Sequence, residues 1–159
     1  MTDQHVRIAH YAVARGSGRL VTIGLGSCVA SAMHDGKFRV AGLAHILLPD
    51  PSLSREVDQP ARFATTAVPL LVDAMRQMGA RGELVAKIAG GASLFGAMLT
   101  GTGGQVGARN VAAAKASLAK AGIALVGEET GGVAGRSVTL DVNTGALHVR
   151  SVRGGERVL

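Results

Sequence analysis

Residues 21–50 read VTIGLGSCVASAMHDGKFRVAGLAHILLPD, and they hold the features that decide how the chain folds. Two stretches rich in β-forming residues, 28–34 and 38–48, lie on either side of the pair Asp35-Gly36. An Asp-Gly pair between alternating apolar stretches is among the stronger sequence signals for a β-hairpin. We therefore expect two antiparallel strands joined by a short turn at this pair.

The turn also predicts which side chains meet across the hairpin. A loop of two or four residues centred on the pair places residues opposite each other when their numbers sum to 71. Cys28, the one cysteine of the chain, then faces Leu43, and His45 projects from the same face. Such diagonal neighbours have Cα atoms about 7–8 Å apart, within reach of a long side chain. A register slip of one residue would send His45 to the other face.

A thiol beside an imidazole has two interpretations. The thiolate is the nucleophilic form of cysteine, and an imidazole can take the thiol proton and return it to a leaving group. A single cysteine in an apolar stretch can equally be an inert buried side chain. A third polar group usually orients the imidazole, and Thr22 is the candidate. It reaches the site if the chain folds back at Gly24 and Gly26, or if His45 extends towards the strand of Thr22.

The glycines of this segment do not match two well-known motifs. A dinucleotide-binding loop needs a third small residue where Val29 stands, and the turn after it leaves no room for the phosphate-binding helix. A serine-hydrolase elbow, G-x-S-x-G, fails because Leu25 and Val29 occupy the wrong positions. The five histidines show no metal-ligand spacing with Cys28. We therefore expect neither a cofactor nor a metal.

Composition limits the class of protein. The 159 residues fit one domain spanning 1–159, and 47% are apolar but only 3% aromatic, which predicts a core of small aliphatic side chains. The net charge of +6 is spread without a basic run, so no nucleic-acid partner is indicated. A single cysteine excludes an internal disulfide. Without a signal peptide or a run of about 20 apolar residues, we expect a cytoplasmic protein with no direct membrane insertion.

Beyond this hairpin, the pattern of apolar residues predicts a layered α/β sandwich with a mixed β-sheet. Strands are expected at 6–14, 19–25, 83–89, 123–129, 137–142 and 146–152, and helices at 61–78, with Pro69 causing a kink or a late start, and at 108–122. The remaining segments are expected to be a loop at 51–60, a loop at 90–107 with a helical turn at 93–99, and a frayed basic tail at 151–159.

Several motifs in this order resemble a known family. The segments TIGLGSC (22–28) and AGLAHILLP (41–49) resemble the chemoreceptor glutamine deamidase family, CheD. The resemblance continues through 67–80, 83–95 and 107–145, and it covers most of the chain between about residues 20 and 145. The glycines at 90–95 and 131–136 belong to these motifs, and we expect them to serve tight turns and close packing, with Arg109 and Arg136 structural.

The resemblance implies a function. Members of the family hydrolyse glutamine side-chain amides of chemotaxis receptors to glutamate and ammonia, and some also hydrolyse receptor methyl esters. Their catalytic Cys, His and Thr carry over to Cys28, His45 and Thr22. The fold implied is a layered α/β sandwich similar to bacterial toxin deamidases, and a response-regulator phosphatase is a further partner of some members. The alternative is a non-catalytic module that binds receptors or that phosphatase.

Overall fold

Two β-sheets and one layer of helices lie on top of each other in the computed structural model, which describes residues 2–93 and 105–159. The first sheet contains, in spatial order, β1 (Asp3–His5), β3 (Arg19–Leu25), β8 (Arg136–Asp141), β9 (Leu147–Ser151) and β10 (Glu156–Val158). The second contains β2 (Tyr11–Arg15), β5 (Val40–Ile46), β4 (Val29–Asp35), β6 (Leu84–Gly90) and β7 (Ala124–Thr130). The helices are α1 (Ala64–Gln77) and α2 (Val106–Lys120), and two short 3-10 helices, Pro51–Leu53 and Pro60–Arg62, precede α1.

The sequence predicts one mixed sheet, whereas the structure contains two sheets, and both are mixed. In the first, β1 pairs with β3 in parallel and the other described pairs are antiparallel. In the second, β6 and β7 are parallel, whereas β2, β5, β4 and β6 form antiparallel neighbours. The architecture is thus a mixed α/β sandwich.

The second sheet is the middle layer, between the helices and the first sheet, and it explains the unusual composition of the chain. Every residue of β4 and of β5 is buried, because one face packs on the helices and the other on the first sheet. Side chains alternate along β4, so that Val29 and Met33 face the helices whereas Ala30 and Ala32 face the first sheet. Small side chains on both faces allow the three layers to pack closely, which confirms the predicted aliphatic core.

Helix α1 lies directly over β5. At Gly42 an added Cβ atom would come within 3.0 Å of both the Leu71 and the Met75 side chains, so the absent side chain provides the room for the helix. The helix begins at Ala64, three residues after the predicted start, and Pro69 lies inside it.

The predicted turn was wrong in position. Asp35 pairs with Val40, so the loop is 36–39 and the numbers of paired residues sum to 75, not 71. The Asp35 carboxylate accepts hydrogen bonds from the backbone N–H groups of Lys37, Phe38 and Gly82, which moves the reversal beyond the Asp-Gly pair. Because the two sums differ by an even number, each side chain keeps its predicted face.

The two ends of the chain also differ from expectation. The segment 6–14 is not one strand: β1 and β2 belong to different sheets, and residues 6–10 cross between them. The segment 151–159 is no frayed tail, because β10 pairs with β9 and the carbonyl of Leu159 accepts a hydrogen bond from the Lys87 ammonium. The helical turn expected at 93–99 lies almost wholly outside the described residues.

Candidate active site

The three predicted site residues come from two sheets and the loop that joins them. Thr22 lies on β3 of the first sheet, His45 lies on β5 of the second, and Cys28 lies in the loop between β3 and β4. Their exposed fractions are 1%, 0% and 6%. Thr22 and His45 thus meet in the layer between the sheets, and Cys28 belongs to the apolar cluster that fills this layer.

The Thr22 hydroxyl determines where the proton of His45 lies. Its oxygen is 2.7 Å from His45 Nδ1 and 2.6 Å from the carbonyl oxygen of Val6. A hydroxyl has one proton, and a carbonyl can only accept, so Thr22 donates to Val6. It must therefore accept from Nδ1–H of His45. This tautomer leaves Nε2 without a proton and with a free lone pair.

The other imidazole nitrogen is the one that could act as a base. Nε2 is buried and has no hydrogen-bond partner within the described residues. Burial lowers the pKa of His45 to about 4, because the charged imidazolium would lose its hydration. The imidazole is therefore neutral at pH 7, with Nε2 able to accept a proton.

Cys28 lies on the same side of the second sheet as His45. Ala30 is directly opposite His45 in the β4–β5 pair, and Cys28 precedes Ala30 by two residues. The predicted shared face is therefore confirmed, although no hydrogen bond joins the thiol to Nε2. Burial raises the pKa of the Cys28 thiol, and the interaction of the sulfur with the backbone N–H of the same residue opposes that rise.

The glycine bend before Cys28 carries the chain from one sheet to the other. The pairing of β3 with β8 is irregular between Thr22 and Leu25, and Gly24 within this bulge has a φ of +72°. The backbone N–H of Gly26 then donates to the carbonyl of Gly24. Both routes that could bring Thr22 to the site therefore contribute: the chain bends at the glycines, and His45 reaches across to β3.

A second glycine-rich loop supports Cys28 from behind. The backbone N–H of Gly91 donates to the Cys28 carbonyl, and that of Ala92 donates to the Gly26 carbonyl. A Cβ atom on Gly90, whose φ is +113°, would overlap the Cys28 carbonyl oxygen. Close approach of the two backbones thus requires glycine at Gly90, in agreement with the packing role expected for this motif.

Arg136 anchors a third loop near the site, residues 131–135 between β7 and β8. Its buried guanidinium donates to the carbonyls of Gly90, Glu129, Gly131 and Ala134 and forms an ion pair of 3.1 Å with the Glu129 carboxylate. These contacts occupy the guanidinium with structural bonds, whereas Arg109 is exposed. Arg136 therefore stabilises the loops around Cys28.

Sequence reasoning missed two contributors. Asn110 on α2 is fully buried, and its amide donates to the carbonyls of Ser27, at 2.9 Å, and Leu47, at 3.0 Å. A polar residue on the buried face of an Ala-rich helix was the available signal for it. The other contributor, the Val6 carbonyl, is a backbone group, and no side-chain pattern could indicate it.

The described residues contain neither a candidate metal site nor a membrane-spanning helix. No group of three or more His, Cys, Asp or Glu side chains in residues 2–93 and 105–159 could hold a metal ion. Neither α1 nor α2, the helices of the described part, is long and apolar enough to cross a membrane.

Comparisons with known proteins identify the family. Residues 47–151 match the family model described as CheD chemotactic sensory transduction. A Thermotoga maritima protein named chemoreceptor glutamine deamidase CheD is 47% identical over 96% of this chain and 94% of its own length. A Geobacter metallireducens protein named probable chemoreceptor glutamine deamidase CheD 2 is 45% identical over 93% of this chain and 93% of its own length. A Clostridium botulinum protein named probable chemoreceptor glutamine deamidase CheD is 40% identical over 95% of this chain and 94% of its own length. The chain belongs to the CheD family.

Proposed function

We propose that this protein hydrolyses glutamine side-chain amides of chemotaxis receptors to glutamate and ammonia, with Cys28 as nucleophile, His45 as general base and acid, and Thr22 as the group that orients His45. The names of the relatives supply the substrate class. One observation carries the catalytic roles: the bonds from Thr22 to Val6 and from His45 to Thr22 leave Nε2 unprotonated in the layer that also contains Cys28.

The first half of the reaction makes a thioester. The Cys28 sulfur attacks the side-chain carbonyl carbon of the substrate glutamine while Nε2 of His45 takes the thiol proton. The carbonyl oxygen becomes an oxyanion, which the backbone N–H groups at Ser27 and Cys28 can stabilise by donating hydrogen bonds. The carbon–nitrogen bond then breaks, and Nε2–H gives its proton to the departing nitrogen, which leaves as ammonia.

The second half releases the product. Water attacks the thioester carbon while Nε2 of His45 takes one proton from it. The carbon–sulfur bond breaks, the sulfur recovers a proton from Nε2, and the glutamate product leaves with its new oxygen derived from water. The enzyme returns to the neutral thiol and neutral imidazole from which it started.

The directions of the two pKa shifts indicate how the nucleophile is activated. Burial raises the pKa of Cys28 and lowers that of His45 to about 4, so the resting pair is a thiol and a neutral imidazole and not an ion pair. Proton transfer therefore accompanies the attack on the amide and does not precede it. This suits a nucleophile that stays unreactive until a substrate amide lies beside it.

We also propose the location, domain extent, fold relationship and further partner that were expected from the sequence. We place the protein in the cytoplasm as a single domain of residues 1–159, with a fold similar to bacterial toxin deamidases and a response-regulator phosphatase as a further partner. The mixed sheets packed under one layer of helices are compatible with that fold.

Mass spectrometry of receptor glutamines tests the activity. The purified protein is incubated with receptor cytoplasmic domains, and tryptic peptides are examined for replacement of the side-chain amide by a carboxylate. We expect deamidation by the wild type and none by Cys28→Ala, because the alanine cannot form the thioester. As a control, Ser137→Ala removes a small polar side chain from the outer groove of the first sheet, the surface groove lined by residues such as Val21 and Thr139. We expect this variant to keep full activity.

Two results would oppose the proposal. A Cys28→Ala variant that still deamidates receptors excludes the thioester route. Receptor binding by a wild type that deamidates no glutamine favours the alternative, a non-catalytic interaction module.

A further inference from the structure

Asn110 connects α2 to both halves of the candidate active site. The two N–H groups of its fully buried side-chain amide point to the carbonyls of Ser27 and Leu47. Ser27 immediately precedes the nucleophile, and Leu47 follows His45 by two residues. One amide therefore spans the gap between the loop that carries Cys28 and the strand that carries His45.

This bridge stands just beyond the end of the ladder between the two strands. The backbone pairing of β4 with β5 ends at Val29 and Ile46, so Ser27 and Leu47 lie past the last pair. The backbone N–H of Leu47 donates instead to the carbonyl of Arg62. The Asn110 side chain thus supplies the cross-strand link where backbone hydrogen bonds no longer do.

The bond to Ser27 has a further geometric consequence. The carbonyl of Ser27 and the N–H of Cys28 belong to one planar peptide group, and the described residues contain no cis peptide bond. In a trans peptide the C=O and the N–H point in opposite directions. When Asn110 holds the carbonyl, it directs the Cys28 N–H away from α2. That N–H belongs to the residue whose sulfur attacks the amide, so it lies close to the place where the oxyanion forms.

We propose that Asn110 is a positioning residue for the reaction: by holding the Ser27 carbonyl it orients the Cys28 backbone N–H as the donor that receives the oxyanion. This inference rests on the proposed function, because an oxyanion forms only if Cys28 attacks an amide. Asn110 touches no reacting atom, and it acts through the peptide group that it anchors. Its second bond, to Leu47, keeps that peptide group in register with the strand of His45.

Two reactions of Cys28 separate this role from a merely structural one. Deamidation of a receptor passes through an oxyanion, whereas alkylation of the thiol by iodoacetamide displaces iodide and forms none. For Asn110→Ala we expect kcat for deamidation to fall on the order of 10²-fold, the typical effect of losing one oxyanion donor. We expect KM and the alkylation rate to stay at their wild-type values, because the thiol itself is not displaced.

The control removes packing from the same helix. Leu118 is buried on α2 two turns beyond Asn110, and Leu118→Ala leaves a cavity without removing a hydrogen bond to either carbonyl. It should lower the stability of the protein and leave kcat unchanged. If Asn110→Ala does not fold, Asn110→Leu takes its place, because it has a similar size and no hydrogen-bond donor.

Two outcomes would overturn the inference. A wild-type kcat in the Asn110 variants would mean that the peptide group needs no anchor. An equal fall in kcat and in the alkylation rate would mean that Asn110 only supports the general structure of the loop. Either result requires an active wild type, whereas a wild type that does not deamidate receptors contradicts the proposed function itself.

Discussion

At the residue scale, the candidate site depends on one hydroxyl with a single proton. The Thr22 hydroxyl donates its hydrogen bond to the Val6 carbonyl, so its oxygen can only accept a hydrogen bond from His45. A side chain that donated a hydrogen bond to Nδ1 of His45 would place the imidazole proton on Nε2. A side chain that made no bond to Nδ1 would allow the proton to lie on either nitrogen. The N-terminal segment 6–10 therefore contributes to the site through the backbone carbonyl of Val6, although the sequence singles out no side chain in this segment.

Replacing Thr22 tests the assignment of the tautomer. Thr22→Val has nearly the same shape but leaves Nδ1–H of His45 without an acceptor, so the proton can move to Nε2. We expect kcat for deamidation to fall on the order of 10²-fold, the lower range for loss of a general base. Thr22→Ser should keep most of the activity. Nitrogen NMR of the imidazole should show the Nδ1–H form in the wild type and Thr22→Ser, and loss of that form in Thr22→Val.

A matched substitution checks for general damage. Thr139→Val makes the same change in the outer groove of the first sheet. It should leave both kcat for deamidation and the Nδ1–H form of His45 as they are in the wild type. An active Thr22→Val variant that retains the Nδ1–H form would contradict the orienting role.

His45 also makes folding depend on pH. Its pKa is about 4 in the folded protein and 6.5 in an ordinary environment, so the unfolded chain binds a proton more readily. Stability from the neutral buried imidazole is complete above about pH 6.5 and is lost progressively as the pH falls towards 4. Between pH 8 and pH 5, we expect His45 to reduce the free energy of unfolding by about 2 kcal/mol.

Urea unfolding at a series of pH values measures this contribution. His45→Gln should show a smaller loss of stability between pH 8 and pH 5 than the wild type, by the amount due to His45. His10→Gln replaces an exposed histidine and should follow the wild type. Equal pH dependence in His45→Gln and the wild type would mean that the imidazole is not held neutral by burial.

At the element scale, the approach of two backbones determines where Cys28 lies. The end of β6 and the loop after it contact the Cys28 segment through backbone groups, with Gly91 N–H bonded to the Cys28 carbonyl. Helix α2 contacts the same loop from the other side, because a Cβ on Gly107 would lie 2.5 Å from the Ala92 carbonyl oxygen. Glycines at these contacts let a strand, a loop and a helix converge behind Cys28.

A pair of glycine substitutions separates close contact from backbone strain. Gly90 has a φ of +113° and no room for a Cβ beside the Cys28 carbonyl, whereas Gly122, which follows α2, has a φ of +73° and open space around it. Gly122→Ala should cost only the left-handed conformation, about 1–2 kcal/mol of unfolding free energy. Gly90→Ala should cost more and should also reduce deamidation, because relief of the overlap moves Cys28. Urea unfolding followed by far-UV circular dichroism measures the difference, and equal losses in the two variants would contradict the close contact.

At the scale of the whole molecule, the middle sheet takes part in two cores. One cluster lies between the second sheet and the helices, and the other lies between the two sheets. Since β4 and β5 contribute side chains to both, neither core can be lost without exposing the strands of the other. This shared sheet supports our proposal that residues 1–159 are one domain.

Cavity substitutions in the two cores test whether they unfold together. Leu71→Ala removes side-chain volume from the cluster under the helices, and Leu140→Ala does so between the sheets. Each should lower the free energy of unfolding by about 2–5 kcal/mol while a single transition is kept. Because the chain has no tryptophan, circular dichroism is the suitable signal. Leu53→Ala, at an exposed position, should have little effect. A second transition in either core variant would show that the layers unfold separately.

Much of the fold followed from local patterns. Period-two alternation and short β-rich stretches predicted most strands, and apolar spacing predicted both helices. The shared face of Cys28 and His45 was predicted correctly because side-chain faces depend only on whether the register shift is even or odd. The turn itself was misplaced, because the Asp35 side chain caps backbone groups beyond the Asp-Gly pair and enlarges the loop.

Local patterns in the sequence were enough to assign side chains to faces, and the family motifs were enough to single out Cys28, His45 and Thr22. The three-dimensional fold was needed to show that the strands divide between two sheets, that Val6 and Thr22 fix the imidazole proton, and that Asn110 joins Ser27 to Leu47. The difference arises because face alternation and turns depend on only a few neighbouring residues of the chain. The hydrogen bonds that set a proton or orient a peptide group join segments far apart in sequence, and their partners include backbone atoms that every residue shares.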